Sequence, residues 1–313
     1  MAAESFHSSV PLWAGLSALV VVMVGLDLLV FARGRVPTLR ESALWSGGWL
    51  LAAVVFGVVA WAWQGHEAGS QYFAGYLLER SLSLDNVFVF AVILSFFAVP
   101  VTAQSTLLGW GIALALLLRL VFIVAGAALL DAFHLTFYVF GLLLLYTAYK
   151  LASHDDVEID LEHNRVLRLV RRAVPMTTDY DGERFTTRVG RRRVATPLVA
   201  VFAVIATTDV VFAIDSIPAI FAITREPLIV FAANAFAMLG LRALYFLLVG
   251  LRDRFVYLSR GLAAILAFVG VKMLIVDLWH MPIWLSLVVI AGTLAVTILL
   301  SLRASRLVSF TRR

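Results

Sequence analysis

The 313-residue chain contains no cysteine, so disulfides, thiolate–metal sites and thiol redox couples are excluded. Charge is scarce as well: Asp, Glu, Lys and Arg make up 14% of the residues, while 62% are hydrophobic. A soluble domain carries about 25% charged residues. These deficits exclude an ordinary soluble enzyme, a disordered chain and a nucleic-acid-binding protein. They favour a polytopic membrane protein.

Long apolar segments account for most of the chain. A bilayer core of about 30 Å needs about 20 apolar residues per helix. We therefore predict an all-α, polytopic transmembrane helix bundle with about nine spans. The predicted spans are 11–31, 43–64, 75–98, 104–129, 133–151, 194–224, 228–250, 261–280 and 283–303.

Basic residues fall almost entirely on one side of these spans. If the N-terminus lies outside, 20 of the 25 Lys and Arg residues lie in inner loops or the C-terminal tail, and only Arg225 lies in an outer loop. Positive charge marks the cytoplasmic side, so we predict an external N-terminus and a cytoplasmic C-terminus. The segment 152–193 is predicted to be a charged cytoplasmic loop with a short amphipathic helix.

Several ionisable residues lie too deep in the spans for their charges to reach water. Such residues are costly in a bilayer, and each suggests a function. The deep acids lie in two stretches, ERSLSLDNVFVF (79–90) and DVVFAIDSIPAIFAIT (209–224), which share the pattern Asp-x-Val-Phe. Asp27 lies nearer the end of its span, where it could reach the interface. The deep basic residues are Arg80, Arg119, Arg242 and Lys272.

Matching residues recur at a nearly constant offset. Asp85 and Asp209 are 124 residues apart, Arg119 and Arg242 are 123 apart, and Lys150 and Lys272 are 122 apart. An odd number of spans per unit inverts the second copy in the membrane. We therefore predict two inverted three-helix repeats with an ion site near the midplane, where Asp85 faces Asp209.

The resulting organisation has five parts. Two N-terminal helices precede the first repeat, a charged loop separates the repeats, and a last helix with a basic tail follows the second. The predicted ranges are 1–64, 75–151, 152–193, 194–280 and 283–313.

Pro218 interrupts a run, 194–224, that is too long for one straight span. Proline removes a backbone hydrogen bond from a helix. We expect a broken helix whose freed carbonyls near Asp215 and Ser216 could ligate a cation. The alternative is a kink that serves packing alone.

Oxygen atoms are the only deep ligands. All six histidines lie in loops or at span ends, which disfavours zinc or copper. Carboxylate and amide oxygens suit Mn²⁺, Mg²⁺ or Ca²⁺. In the alternative interpretation, Arg119, Arg242 and Lys272 pair these acids as structural ion pairs. A mixed arrangement would use some acids for metal and the basic groups to stabilise the empty or protonated state.

These stretches, together with NAFAMLGLRALYFLL (234–248) and FVGVKML (268–274), resemble the TerC/Alx family of bacterial integral membrane proteins. The resemblance implies manganese export, supply of metal to secreted proteins, and a link by name to tellurium resistance. The motif positions that it implies as metal-binding are Glu79, Asp85, Asn86, Asp209, Asp215 and Asn234.

Sequence and resemblance together predict a secondary transporter that exports Mn²⁺ across the bacterial cytoplasmic membrane, with a proton as candidate coupling ion. Arg119, Arg242 and Lys272 are its candidate ion-pair or gating residues. Mn²⁺ would be the cargo, with no resident cofactor. Its predicted partners are a divalent cation and the lipid bilayer, without nucleic acid. No enzyme motif such as His-Glu-x-x-His occurs. The alternative function is a non-transporting scaffold or stress-complex subunit.

Overall fold

The computed structural model describes residues 10–31, 37–153, 165–190, 192–248, 257–279 and 281–311. Within these ranges the chain is almost entirely helical, as expected for an all-α membrane protein. The elements in chain order are α1 (Val10–Phe31), α2 (Leu39–Gln64), α3 (His66–Phe96), α4 (Val101–Ala132), α5 (Thr136–Ser153), α6 (Arg165–Ala173), β1 (Thr186–Val189), β2 (Arg192–Ala195), α7 (Pro197–Phe221), α8 (Pro227–Met238), α9 (Leu241–Leu248), α10 (Leu258–Leu274) and α11 (Ile283–Thr311).

Each predicted span coincides with a helix or, for 228–250, with the pair α8 and α9. Seven candidate crossings in the described ranges are long and apolar enough to span a bilayer: α1, α2, α4, α5, α7, α8 joined with α9, and α11. The other two differ for visible reasons, since α3 carries charged residues such as Glu79, Arg80 and Asp85, and α10 has only 17 residues. The polytopic all-α class is confirmed, while the count of nine stays a prediction.

Burial is distributed as a lipid environment requires. An 18-residue stretch of α8 and α9 is entirely buried, whereas only 17% of the corresponding stretches of α1, α2 and α11 is buried. Large apolar side chains cover the outside, for example Leu51 and Val288. In water such a surface would aggregate, but hydrocarbon solvates it. Apolar side chains therefore cover the outside, while a mostly apolar interior also contains charged side chains such as Arg119 and Arg242.

The helix pairing fits the predicted repeat. α3 packs against α8, α4 against α7, and α5 against α10. A two-fold relation between α3–α5 and α7–α10 would generate these pairs, because it exchanges the first two and maps the third onto itself. At the α5–α10 crossing, a Cβ on Gly141 would lie 3.0 Å from the Gly270 carbonyl oxygen. The inverted relation itself stays a prediction.

The expected break at Pro218 is wrong. α7 is continuous through Pro218, which lies in its last turn, where one lost hydrogen bond does not end the helix. The broken element is the next one. Between α8 and α9 the chain is extended at Leu239 and has φ +81° at Gly240. A Cβ at Gly240 would lie 2.7 Å from the Trp49 side chain, so this position needs glycine.

The loop 152–193 is more than a linker, although its residues 154–164 and 191 lie outside the described ranges. It forms α6 and the antiparallel hairpin β1–β2, in which Thr186 pairs with Ala195. The Tyr180 hydroxyl donates to the Phe97 carbonyl at 2.6 Å, and burial raises the pKa of that hydroxyl. These contacts hold the loop against the end of α3.

Candidate functional site

A buried charged cluster lies where α3, α4 and α7 meet. Arg119 and Glu79 are fully buried, and Asp209 is 2% exposed. The Arg119 Nη1 donates to Glu79 Oε1 and, at 3.1 Å, to Ser216 Oγ. The Arg119 Nη2 lies 3.6 Å from Asp209 Oδ1. We call these four residues the Arg119 cluster.

The Arg119 cluster contains more negative than positive groups. Two carboxylates face one guanidinium, so the fully ionised cluster has a net charge of −1. An unbalanced buried charge is costly unless another group compensates it. Moreover, Glu79 Oε2 and both Asp209 carboxylate oxygens have no hydrogen-bond partner within the described part of the chain. The arrangement can therefore accept one further positive charge, either a proton or a cation.

Helical geometry explains which acid of α7 joins the cluster. Asp209 and Ser216 are seven residues apart, which places them on the same face about two turns apart. Asp215 is turned away from Ser216 by about 100°. Its carboxylate accepts a hydrogen bond from Thr147 of α5 at 2.9 Å, and the charge of Lys150 acts on it. Asp215 therefore serves a neighbouring helix contact instead of the Arg119 cluster.

The acid of α3 that contacts Arg119 is Glu79, whereas the sequence repeat predicts that Asp85 faces Asp209. Asp85 follows Glu79 by six residues, which turns it away by about 120°. It is half-buried, while the next residue, Asn86, is buried. Across the described ranges, no three His, Asp or Glu side chains lie close enough together to hold a metal ion. A metal role for Asp85 and Asn86 stays a prediction.

Asn234 of α8 is completely buried, and both polar atoms of its amide lack hydrogen-bond partners in the described structure. A buried amide without partners is rare, because desolvation costs free energy that no bond returns. Its neighbour Ala233 packs close to α3, where a Cβ on Gly75 would lie 3.3 Å from the Ala233 Cβ. Asn234 therefore has unused polar atoms and directly follows a residue of the α3–α8 contact.

The second repeat arginine has different partners. Arg242 is 1% exposed and binds both the carboxylate and the carbonyl of Asp27, which is 5% exposed. Its Nη1 also donates to the Ser105 carbonyl at 3.3 Å. We call Arg242, Asp27 and Ser105 the Arg242 cluster. Among the described residues, one carboxylate faces one guanidinium in this cluster, so these two charges balance.

The third predicted basic residue pairs with no acid in the described ranges. The Lys272 ammonium donates to Ser286 Oγ of α11 at 2.9 Å. Of the three basic residues expected to pair the candidate metal ligands, only Arg119 does so. Arg242 pairs with an acid outside that set, and Lys272 forms a hydrogen bond to a hydroxyl.

Comparison with known proteins identifies the family. The sequence model described as the integral membrane protein TerC family matches residues 64–308. The chain belongs to the TerC family. An uncharacterised membrane protein of Myxococcus xanthus is 46% identical over 306 residues, which cover 97% of this chain and 96% of that protein. No solved structure matches the chain.

Other relatives of this TerC protein carry a functional name. Alx of Escherichia coli strain K12, named as a proposed membrane-bound redox modulator, is 39% identical over 300 residues, covering 93% of this chain and 94% of Alx. Alx of Salmonella typhi is 40% identical over 300 residues, covering 93% of each chain. The matched family region contains the whole Arg119 cluster but excludes Asp27 of the Arg242 cluster.

Two features of the site escaped sequence reasoning. The first is the break at Gly240, whose only signal was a glycine in the middle of an apolar span. The second is Arg80, which was recognised as a deep basic residue but not given a partner. Its Nη1 donates to the Ala237 carbonyl of α8 at 2.9 Å. Neither the packing of Trp49 on Gly240 nor the hydrogen bond from Arg80 to Ala237 has a sequence signature, because each joins residues that are distant in the chain.

Proposed function

We propose that this TerC protein is a secondary transporter that exports divalent cations, with Mn²⁺ as the main cargo, across the bacterial cytoplasmic membrane. The observation that carries the proposal is the excess negative charge of the Arg119 cluster. Glu79 and Asp209 face a single guanidinium and retain unpartnered oxygens. Oxygen ligands of this kind favour Mn²⁺ over zinc or copper.

Arg119 has the role of a tethered cation in this proposal. In the structure its guanidinium lies between the two carboxylates that a metal ion would need. A cation that enters the cluster therefore competes with Arg119 for Glu79 and Asp209. When the metal leaves, Arg119 and one proton restore neutrality. This exchange makes the proton the natural counter-ion. The proposed topology has an external N-terminus and a cytoplasmic C-terminus.

The second candidate function is a non-transporting membrane scaffold or stress-complex subunit. The ion pairs favour it, because Arg119–Glu79 and Arg242–Asp27 each join two helices and would serve as structural ties. A redox role is named only for the Alx relatives. In this chain a thiol-based redox function is excluded by the absence of cysteine.

Cation flux into liposomes separates these functions. The purified protein is reconstituted with a metal-quenched dye and a pH-sensitive dye inside the vesicles. We expect Mn²⁺ entry above the rate of protein-free vesicles, slower entry of Zn²⁺, and a change in internal pH that follows Mn²⁺ entry. Reconstituted protein that moves no Mn²⁺ would refute the transporter and favour the scaffold. Mn²⁺ flux without any change in internal pH would refute the exchange for protons but not the transport of Mn²⁺.

A further inference from the structure

The break between α8 and α9 exposes the carboxyl end of α8 inside the bundle. A helix leaves its last four carbonyls without intrahelical partners. Arg80 of α3 supplies a partner for one of them, because its Nη1 donates to the Ala237 carbonyl at 2.9 Å. The negative end of the helix dipole also favours a cation at this place. Within the described ranges Arg80 forms no ion pair, so this carbonyl is its assigned polar contact.

The other side of the break is held independently. Trp49 of α2 fills the space beside Gly240, where a Cβ would lie 2.7 Å away. Arg242, two residues further on, is bound to Asp27 of α1 and Ser105 of α4. These contacts fix α9. The Arg80 contact is therefore what ties the end of α8 to α3.

Two contacts between α3 and α8 flank the segments that carry Glu79 and Asn234. One is the close approach of Gly75 and Ala233, and the other is the hydrogen bond from Arg80 to Ala237. Glu79 lies between these contacts on α3, and Asn234 lies between them on α8. The distance between the two helices in this interval depends on both contacts. Counted along both helices from the Gly75–Ala233 contact, Asn234 lies within about one helical turn of Glu79. The hydrogen bond from Arg80 to Ala237, which involves neither residue, holds α8 in this register.

We propose that Arg80 is a positioning residue: by capping α8 at Ala237, it holds the Asn234 amide in reach of a cation bound at Glu79. This deepens the proposed transport function and rests on it. Arg80 touches no cargo in this arrangement. It acts through the position of α8, so its loss affects the binding of the metal more than the rate of the conformational cycle.

Kinetics of Mn²⁺ flux in liposomes test the proposal. In Arg80→Met the hydrogen bond to Ala237 is lost, and we expect KM for Mn²⁺ to rise about 10-fold, the equivalent of one hydrogen bond from a charged donor. The maximal rate should change less than twofold. Arg80→Lys keeps a charged donor and should restore most of the affinity. Arg260→Met, at an exposed position in the first turn of α10, is the control and should leave KM unchanged.

A double variant separates positioning from general damage. Asn234→Ala removes the amide through which Arg80 is proposed to act. Adding Arg80→Met to Asn234→Ala should raise KM no further, because coupled residues are not additive. Independent, multiplicative increases in KM would overturn the proposal, as would a wild-type KM in Arg80→Met.

Hydrogen exchange gives a readout that does not need transport. The amides of residues 235–241 should exchange faster in Arg80→Met than in the wild type, while those of α5 stay unchanged. If the wild type moves no Mn²⁺, the transport function fails, yet this measurement still decides whether Arg80 holds the end of α8. Unchanged exchange would overturn the proposal. If Arg80→Met does not accumulate, Arg80→Gln replaces it, and failure of both would overturn it in favour of a folding role.

Discussion

The predicted repeat matches Arg119 with Arg242, yet the surroundings of the Arg119 and Arg242 clusters differ. Both arginines are at most 1% exposed. Arg119 faces two carboxylates and a serine hydroxyl, whereas Arg242 faces one carboxylate and two backbone carbonyls. Among the described residues, the first cluster therefore has an excess negative charge, whereas the second pairs one carboxylate with one guanidinium. Both clusters contain polar atoms without hydrogen-bond partners there. A similar sequence motif thus has two different sets of partners, which the neighbouring helices supply.

The neighbours also differ in origin. Every partner of Arg119 comes from the region that the family model matches, residues 64–308. The carboxylate that balances Arg242 comes from α1, outside that region. α1 thus supplies the neutralising carboxylate on one side only. The proposed division, with ion binding at the Arg119 cluster and structural support at the Arg242 cluster, rests on this asymmetry, and three changes test it.

The largest effect is expected from neutralising the acids of the Arg119 cluster. In Asp209→Asn and in Glu79→Gln, one guanidinium faces one carboxylate, so the excess charge that a cation would neutralise is gone. We expect Mn²⁺ flux to fall to the level of protein-free liposomes, with near-normal abundance in the membrane. Asp27→Asn in the Arg242 cluster is the matched control, assayed at equal protein content. Wild-type flux in both variants, or an equal loss of flux in the control, would refute the proposed difference between the two clusters.

The sequence predicted the helices well and their contacts unevenly. Long apolar segments specify spans because lipid offers the backbone no partner, so each predicted span coincides with helical structure. The deep acids were visible because charge in an apolar run is conspicuous. What joins them was not: Glu79 and Arg119 are 40 residues apart, and Asp27 and Arg242 are 215 apart. Those pairs depend on helix rotation and packing, which a span pattern does not contain.

The two helix interruptions show the same limit. Pro218 is a strong local signal, but it lies in the last turn, where a helix tolerates a missing hydrogen bond. Gly240 is a weak signal, but Trp49 from a distant helix leaves no room for a side chain there. The local sequence therefore indicated the wrong helix. Tertiary packing, which the local sequence does not contain, determines whether Pro218 or Gly240 interrupts a helix.

The second effect concerns stability. Asp27→Asn removes the carboxylate that pairs with the buried Arg242, and breaking a buried ion pair from one side destabilises a protein by about 3–5 kcal/mol. We expect lower thermal stability in detergent and lower abundance in the membrane, but normal flux per molecule. Asp27→Leu combined with Arg242→Met replaces the pair with apolar side chains and should recover most of the stability. Without that recovery, Arg242 has a role other than balancing Asp27.

The smallest effect is expected at Lys272, which the sequence grouped with the two arginines. Its ammonium donates to Ser286 Oγ and has no acidic partner within the described ranges. Lys272→Met removes one hydrogen bond between α10 and α11, which is worth about 1 kcal/mol. Thermal stability should therefore fall slightly, and Mn²⁺ flux should stay within about twofold of the wild type because the Arg119 cluster is untouched. Ser286→Ala, which removes the same bond from the other side, should match it. A large loss of flux in Lys272→Met but not in Ser286→Ala would show that the Lys272 charge acts on the ion path. Lys272 would then join Arg119 as a basic residue needed for transport.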